Sequence, residues 1–286
     1  MGTSSLSSSG DLIWFITGTS QGFGFELVRA ALQRGDSVVA TSRTPEKVQK
    51  EFSAEADRLL AIPLDLRDPA NIAAGVEKAV KRFGRIDVLV NNAGHGLLGA
   101  VEEASDSEIK NVFEINVFGL NRLTRAVLPY FRKQHSGHLV NLSSIGGLVG
   151  LPGWGIYNAT KFAVEGLSEA LAAEAAPLGI RVTVVEPGPF RTDFLGGSLT
   201  TAKEKIPDYE PTAGQTRQYA IDRNGVQQGD PVLAAEAILQ AVTSENPPLH
   251  LLLGALAYQR AAAKIESLQK DFETWREAAL ATDFKS

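Results

Sequence analysis

Tyr157 and Lys161 stand four residues apart, with Ser144 a short way upstream. On a helix, positions i and i+4 project from one face, so a phenol and an ammonium at this spacing share a pocket. A free phenol titrates near pH ~10, too high for a base at neutral pH. A neighbouring ammonium favours the phenolate and lowers that value. Such a pair can give a proton to an oxygen or take one from it. A serine hydroxyl reaching the same space would orient and polarise that oxygen. In isolation, Tyr-x-x-x-Lys also describes many solvated surface pairs, so other features must carry the assignment.

A second stretch is chemically suggestive. Thr17-Gly18-Thr19-Ser20-Gln21-Gly22-Phe23-Gly24 follows an apolar run and opens a segment of helical period. Glycines let the backbone turn tightly and approach a pyrophosphate. The helix start then offers free N–H groups and a positive dipole end to that anion. A purely structural turn is the competing reading. The position between the first strand and the first helix favours a dinucleotide.

Periodicity gives the strands and helices that carry these residues. Apolar, β-branched runs at Leu12–Thr17, Ser37–Ser42, Leu59–Leu64, Ile86–Asn91, His138–Leu142, Ile180–Val185 and Leu249–Leu253 read as strands. Continuous apolar runs are the mark of parallel strands buried on both faces. Helical patterns separate them: Phe23–Gln33, closed by Gly35, and about 69–83, 106–133, 155–178 and 231–244. The alternation predicts an α/β, doubly wound Rossmann-type parallel sheet of about seven strands with helices on both faces. Such sheets bind ligands at the C-terminal ends of their strands.

With 286 residues and 44% hydrophobic content, the chain can build one sizeable core, so residues 11–286 are expected to form a single domain. Residues 1–10, rich in Ser and Gly, are expected to be a disordered lead-in without the basic start and apolar run of a signal peptide. About 189–228 is rich in Gly, Pro, Thr and Asp and reads as a substrate lid. About 255–282 reads as an appended helical tail of one helix or two.

A net charge of −5 argues against a nucleic-acid partner, which calls for a basic face. The absence of cysteine excludes disulfides, thiolate nucleophiles and Cys-based zinc sites, and the four scattered histidines suggest no metal. No run is long and apolar enough to span a membrane, and a cytoplasmic location is expected.

Taken together, the motifs carry a resemblance. The Thr17–Gly24 turn, Asn91-Asn92-Ala93-Gly94 after the fourth strand, Ser144, Tyr157 to Lys161, and Pro187-Gly188 after the sixth strand run in one order over roughly residues 12–192. This set resembles the short-chain dehydrogenase/reductase family. The glycine spacing departs from the GxxGxxG of that family's extended epimerase branch. The resemblance implies hydride transfer between nicotinamide and a carbonyl or alcohol, with Tyr157 as acid/base, assisted by the oxidised nicotinamide as well as by Lys161. It implies that Lys161 also holds the nicotinamide ribose, that Ser144 places the substrate oxygen, and that Asn116 holds a water relaying protons from Lys161. Gly18, Ser20, Gln21, Gly22, Phe23 and Gly24 would cradle the pyrophosphate. Asp65 and Leu66 would contact adenine, with a helix-capping role for Asp65 the local alternative. Asn91, Asn92, Ala93 and Gly94 would pass beneath the cofactor, although Asn91 could instead tie neighbouring strands. Pro187, Gly188, Phe190 and Thr192 would flank the nicotinamide.

The residues ending the second strand bear on the choice of dinucleotide. An acidic side chain there would bind the ribose 2′-OH and repel a 2′-phosphate. This chain has Ser42-Arg43. A guanidinium can hold a 2′-phosphate and stack on adenine, with Ser20 and Ser42 adding hydroxyls, so NADP(H) is expected. The competing reading is a solvated Arg43. Over the nicotinamide, His95, Leu97, Ile145, Trp154, Phe190, Phe194 and Leu195 are the substrate candidates. Their apolar character suggests a hydrophobic ketone, aldehyde or alcohol. A homodimer is expected, with a homotetramer the alternative. A non-catalytic NADP(H)-binding sensor or scaffold is the competing function; an intact acid/base set argues against it.

Overall fold

The computed structural model describes residues 12–284; the expected lead-in, residues 1–10, lies outside them. Nine strands are present among the described residues: β1 (Ile13–Thr17), β2 (Ser37–Ser42), β3 (Leu59–Pro63), β4 (Val88–Asn91), β5 (Gly96–Leu98), β6 (Gly137–Leu142), β7 (Ile180–Pro187), β8 (Leu199–Thr201) and β9 (His250–Leu253). Seven form the main sheet in the order β3-β2-β1-β4-β6-β7-β9. Every pairing in it is parallel.

Successive side chains of a strand face opposite ways, and here both faces are covered. Trp14 and Ile16 of β1 pack into one layer with Leu27, Val28, Ala31 and Leu32 of α1 (Gly22–Arg34) and with Ala234, Ala235 and Ile238 of α8 (Pro231–Thr243). Phe15 faces the other layer, with Ile72 and Val76 of α3 (Pro69–Phe83), Leu123 and Val127 of α5 (Leu120–Gln134), and Leu171 of α6 (Gly155–Ala175). All five residues of β1 are buried, which is why the strands read as continuous apolar runs. The strand order reverses between β1 and β4, so the loops after these strands diverge and open a crevice.

Three segments differ from the periodicity reading. The expected helix at 106–133 is α4 (Asp106–Phe113), a π-helical turn (Glu114–Gly119) and α5. A π turn inserts a residue without breaking the apolar stripe visibly, so periodicity does not reveal it. It carries Asn116, which is 1% exposed.

The segment at 189–228 is not an irregular loop. It contains β8, which pairs with β5 in parallel, and α7 (Gln215–Arg223). Strands of three residues are too short to show alternation, and α7 is mostly polar. The ends of the segment meet where Phe190 bridges Gly229. Arg217 of α7 ties it to the body, donating to the buried Glu103 Oε2 at 2.7 Å. Between β2 and β3 lies a short helix that the sequence pattern does not mark, α2 (Glu46–Glu51).

The tail is two helices, α9 (Ala255–Thr274) and α10 (Arg276–Leu280). Ala257 and Ala261 pack α9 against Ile145. Beyond them Ile265, Phe272 and Trp275 are each about two-thirds exposed.

Candidate active site

The turn after β1 is tied to the segment that follows β4. Thr17 Oγ1 accepts from the N–H groups of Asn92 and Ala93, both at 3.0 Å, and Asn92 Nδ2 donates to Thr17 O at 2.8 Å and Gly18 O at 3.1 Å. Gly18 and Gly22 have φ of 69° and 60°, a region L side chains rarely adopt. A Cβ on Gly24 would lie 2.4 Å from Gly18 O. Gln21 starts α1 without a side-chain cap, so the first N–H groups of the helix point at the crevice unclaimed by it. Gln21 Nε2 instead donates to Asp193 Oδ2 at 2.9 Å. Gly18→Ala is expected to cost about 1–3 kcal/mol, because a Cβ there meets both a left-handed φ and Asn92 Nδ2 at 2.8 Å. Urea unfolding with an unchanged midpoint would contradict this.

At the end of β2, Ser42 is buried and Arg43 exposed, and both line the crevice. Asp65 and Leu66 line it from the end of β3. Asp65 is engaged by Arg67, whose NH2 lies 2.6 Å from Oδ2. That hydrogen bonding holds the Asp65 carboxyl well below its usual range, at about 2. Asp68, not Asp65, caps α3, accepting from Ala70 and Asn71. The capping alternative for Asp65 therefore fails.

Asn91 takes the structural alternative. Its side chain is 3% exposed and donates to Asn141 Oδ1 at 2.8 Å and Thr124 Oγ1 at 3.0 Å, tying β4 to β6 and α5. As the last residue of β4 it faces the covered layer, whereas Asn92, Ala93 and Gly94 line the crevice. Gly24 also sits behind the turn rather than on its open side, and Leu97 is buried in β5; neither lines the crevice.

α6 begins beside the crevice and presents Tyr157 and Lys161, 8% and 7% exposed. Burial pushes the Tyr157 hydroxyl up to about 12, offset in part by a hydrogen bond with Ser144. The expected lowering by the Lys161 ammonium does not prevail in the protein alone, because burial penalises phenolate more. Lys161 is brought down to about 8 by burial, which the charge of Glu165 opposes. Its Nζ donates to Leu142 O at 2.7 Å and lies 5.7 Å from the centre of the Tyr157 ring. Ser144, in the turn that follows β6, also accepts from Gly146 N at 3.0 Å. Asn116 acts as a brace: Oδ1 accepts from His95 N at 3.0 Å, and Nδ2 donates to His95 O at 2.9 Å and Thr160 Oγ1 at 3.1 Å. It does not line the crevice itself.

An aromatic wall stands over Tyr157. The rings of Trp154 and Phe194 lie 5.5 and 5.6 Å from it, and 6.2 Å from each other. Ile145, Phe190 and Leu195 add apolar surface, and His95 lines the same space. Burial, then the charges of Lys161 and Arg43, hold His95 below its usual range. Phe190 packs edge-on against Phe23, 5.1 Å between centres. Pro187, Gly188 and Thr192 line the floor, Thr192 against Gly22.

These segments enclose one crevice of about 1170 Å³. That exceeds the ~300–1,000 Å³ usual for one small molecule. A glycine turn at an uncapped helix start, a cation at one end and the half-buried Ser144 with the buried Tyr157 and Lys161 along the wall fit a nicotinamide dinucleotide with space beside it. The arrangement can place an oxygen against Ser144 and Tyr157 and exchange a proton with it. Sequence reasoning missed Asn158, whose side chain donates to Gly146 O and accepts from Leu151 N, both at 2.9 Å, fixing the Ser144 turn to α6. It also missed Thr216 and Tyr219 of α7 and Arg260 of α9 on the crevice wall. Only the tertiary fold brings these last three to the site.

Residues 13–203 match the family model described as short chain dehydrogenase. A solved short-chain dehydrogenase from Streptomyces avermitilis superposes with a TM-score of 0.91 at 42% identity, over 96% of this chain and all of that one. "Oxidoreductase BOA17" of Botryotinia fuckeliana is 39% identical over 94% of this chain and 98% of its own length. A "3-ketodihydrosphingosine reductase" of Bacteroides thetaiotaomicron is 37% identical over 85% and 88%. Other solved proteins of this fold hold NAD or 5-hydroxy-NADP. The chain belongs to the short-chain dehydrogenase/reductase family and is an oxidoreductase of that family.

Proposed function

We propose that this protein is an NADP(H)-dependent carbonyl reductase or secondary alcohol dehydrogenase that acts on a hydrophobic ketone, aldehyde or alcohol. The observation that carries the reading is the convergence of Ser144, Tyr157 and Lys161 beneath the Trp154–Phe194 wall. Tyr157, kept neutral by burial, donates its phenolic proton to the carbonyl oxygen as that oxygen gains charge. Ser144 donates a hydrogen bond to the same oxygen and so favours the charge that develops there. The Lys161 ammonium steadies the phenolate left behind. The crevice residues would hold a nicotinamide dinucleotide, which would supply or accept the hydride. Gly18, Ser20, Gln21, Gly22 and Phe23 would hold its pyrophosphate, Arg43 with Ser42 the 2′-phosphate, and Asn92 to Gly94 with Pro187, Gly188 and Thr192 the nicotinamide half.

The apolar wall supports a hydrophobic substrate, and the Bacteroides relative's name denotes a ketone reductase. Following NADPH oxidation across small and aliphatic or alicyclic ketones tests the reading. Turnover that rises with the apolar bulk of the ketone is expected; no turnover with any carbonyl would overturn it.

A homodimer is the assembly we infer. Phe118 on the π turn and Phe162 on α6 are nearly half exposed on the two long helical segments. Light scattering should give a mass of two chains; a mass of four would contradict this.

A further inference from the structure

Behind the Ser144 turn lies a cluster of ionisable groups that the proposed chemistry does not use. Glu165 on α6 faces Glu186 on β7, and His250 on β9 closes the group; a carboxylate oxygen of each glutamate and a ring nitrogen of His250 all lie within 4.8 Å of one another. Glu165 is 4% exposed and Glu186 fully buried. Glu186 Oε1 is 2.7 Å from His250 Nδ1, whereas no donor in good hydrogen-bonding geometry meets either oxygen of Glu165 or the second oxygen of Glu186; the polar groups nearest to Glu165 are the Ser143 hydroxyl and Glu186 itself. Gly147 makes room for this: a Cβ there would lie 2.6 Å from Glu165 Oε1 and 2.5 Å from Ser143 Oγ.

Two buried carboxylates this close cannot both carry charge without a large penalty, and a shared proton relieves it. The unpartnered oxygens are the acceptors such a proton requires. Glu165 also lies one helical turn from Lys161, on the same face of α6. We propose that Glu165 and Glu186 hold one proton between them, and that the dyad's negative charge keeps Lys161 in its ammonium form, making Glu165 a positioning residue for the Ser144–Tyr157–Lys161 site. This rests on the catalytic reading of that site given above.

The groups facing Glu165 set its behaviour. Burial raises its carboxyl to about 7; Ser143 and His250 act downward, and Glu186 and Glu169 upward. Burial also raises Glu186, which His250 opposes. Lys161, lowered to about 8, is held up by Glu165. His250 is partly exposed and lies 3.9 Å from Glu169 Oε1, giving the dyad's proton a way to solvent. As pH rises through 7 the dyad gains negative charge, just below the range in which Lys161 would lose its own.

In the alkaline range Glu165→Gln removes one of the pair's two charges, the one a helical turn from Lys161, so the ammonium is lost at lower pH. The alkaline limb of kcat/KM for ketone reduction should move down by about one pH unit. A side chain that only packs would lower the rate without moving that limb. Isotope-edited infrared difference spectra of the wild-type protein supply a second readout. A protonated-carboxyl C=O stretch should be present below pH 7 and absent in Glu165→Gln. Should that variant fail to fold, Glu186→Gln carries the infrared test, since it also breaks the pair. An unmoved limb in a folded variant, or no such stretch in the wild type, would overturn the dyad while leaving the Tyr157 reading intact. Stoichiometric retention of Zn²⁺ on equilibrium dialysis, abolished by Glu186→Gln, would overturn it in favour of a metal site. A wild type that never reduces a ketone would instead strike the catalytic reading.

Discussion

Replacing Tyr157 with Phe should lower kcat for ketone reduction by about 10³–10⁴-fold and leave the affinity for NADPH within about twofold. The ring would remain between Trp154 and Phe194, so the aromatic packing and the start of α6 persist. Only the phenolic hydroxyl, with the hydrogen bond that its oxygen accepts from Ser144, is lost. Because burial holds that phenol at about 12, it stays protonated across the neutral range and serves as an acid without prior proton uptake. Steady-state rates together with a fluorescence titration of cofactor check both halves. Full turnover with normal binding would remove Tyr157 from the chemistry.

The second large effect concerns Arg43. Arg43→Asp should weaken NADP(H) by about 100-fold while NAD(H) changes little. A charge-assisted contact to a phosphate is worth ~1.5–3 kcal/mol, and the new carboxylate would also repel the 2′-phosphate. The side chain is exposed at the end of β2, so its loss should leave the fold untouched. Equal weakening of both dinucleotides would mean that Arg43 does not read the 2′ position. Tighter binding of NAD than NADP by the unaltered protein would sink the preference altogether.

How much of this was legible depended on whether the signal was local. The main sheet was readable because its strands are covered on both faces, which writes continuous apolar runs into the sequence. The seven runs correspond to β1, β2, β3, β4, β6, β7 and β9. Tyr157 and Lys161 were readable because one helical turn places them together. Asn91 was ambiguous for a physical reason. The end of a strand can face the crevice or the covered layer, and only the pairing of Asn91 with Asn141 decides it. The π turn under Asn116 and the short strands β5 and β8 left no periodic trace. The Glu165–Glu186–His250 cluster was invisible because its members come from three elements and each reads alone as an ordinary residue.

Transfer of deuterium reports hydride movement at the Tyr157 site. A hydrophobic ketone is incubated with the protein and NADPH deuterated at C4, each face labelled in a separate run. Mass spectrometry and NMR then locate the label in the alcohol. One of the two runs should give alcohol with a single deuterium on the carbinol carbon. Alcohol without deuterium in both runs, or no alcohol at all, would contradict hydride transfer at the Tyr157 site.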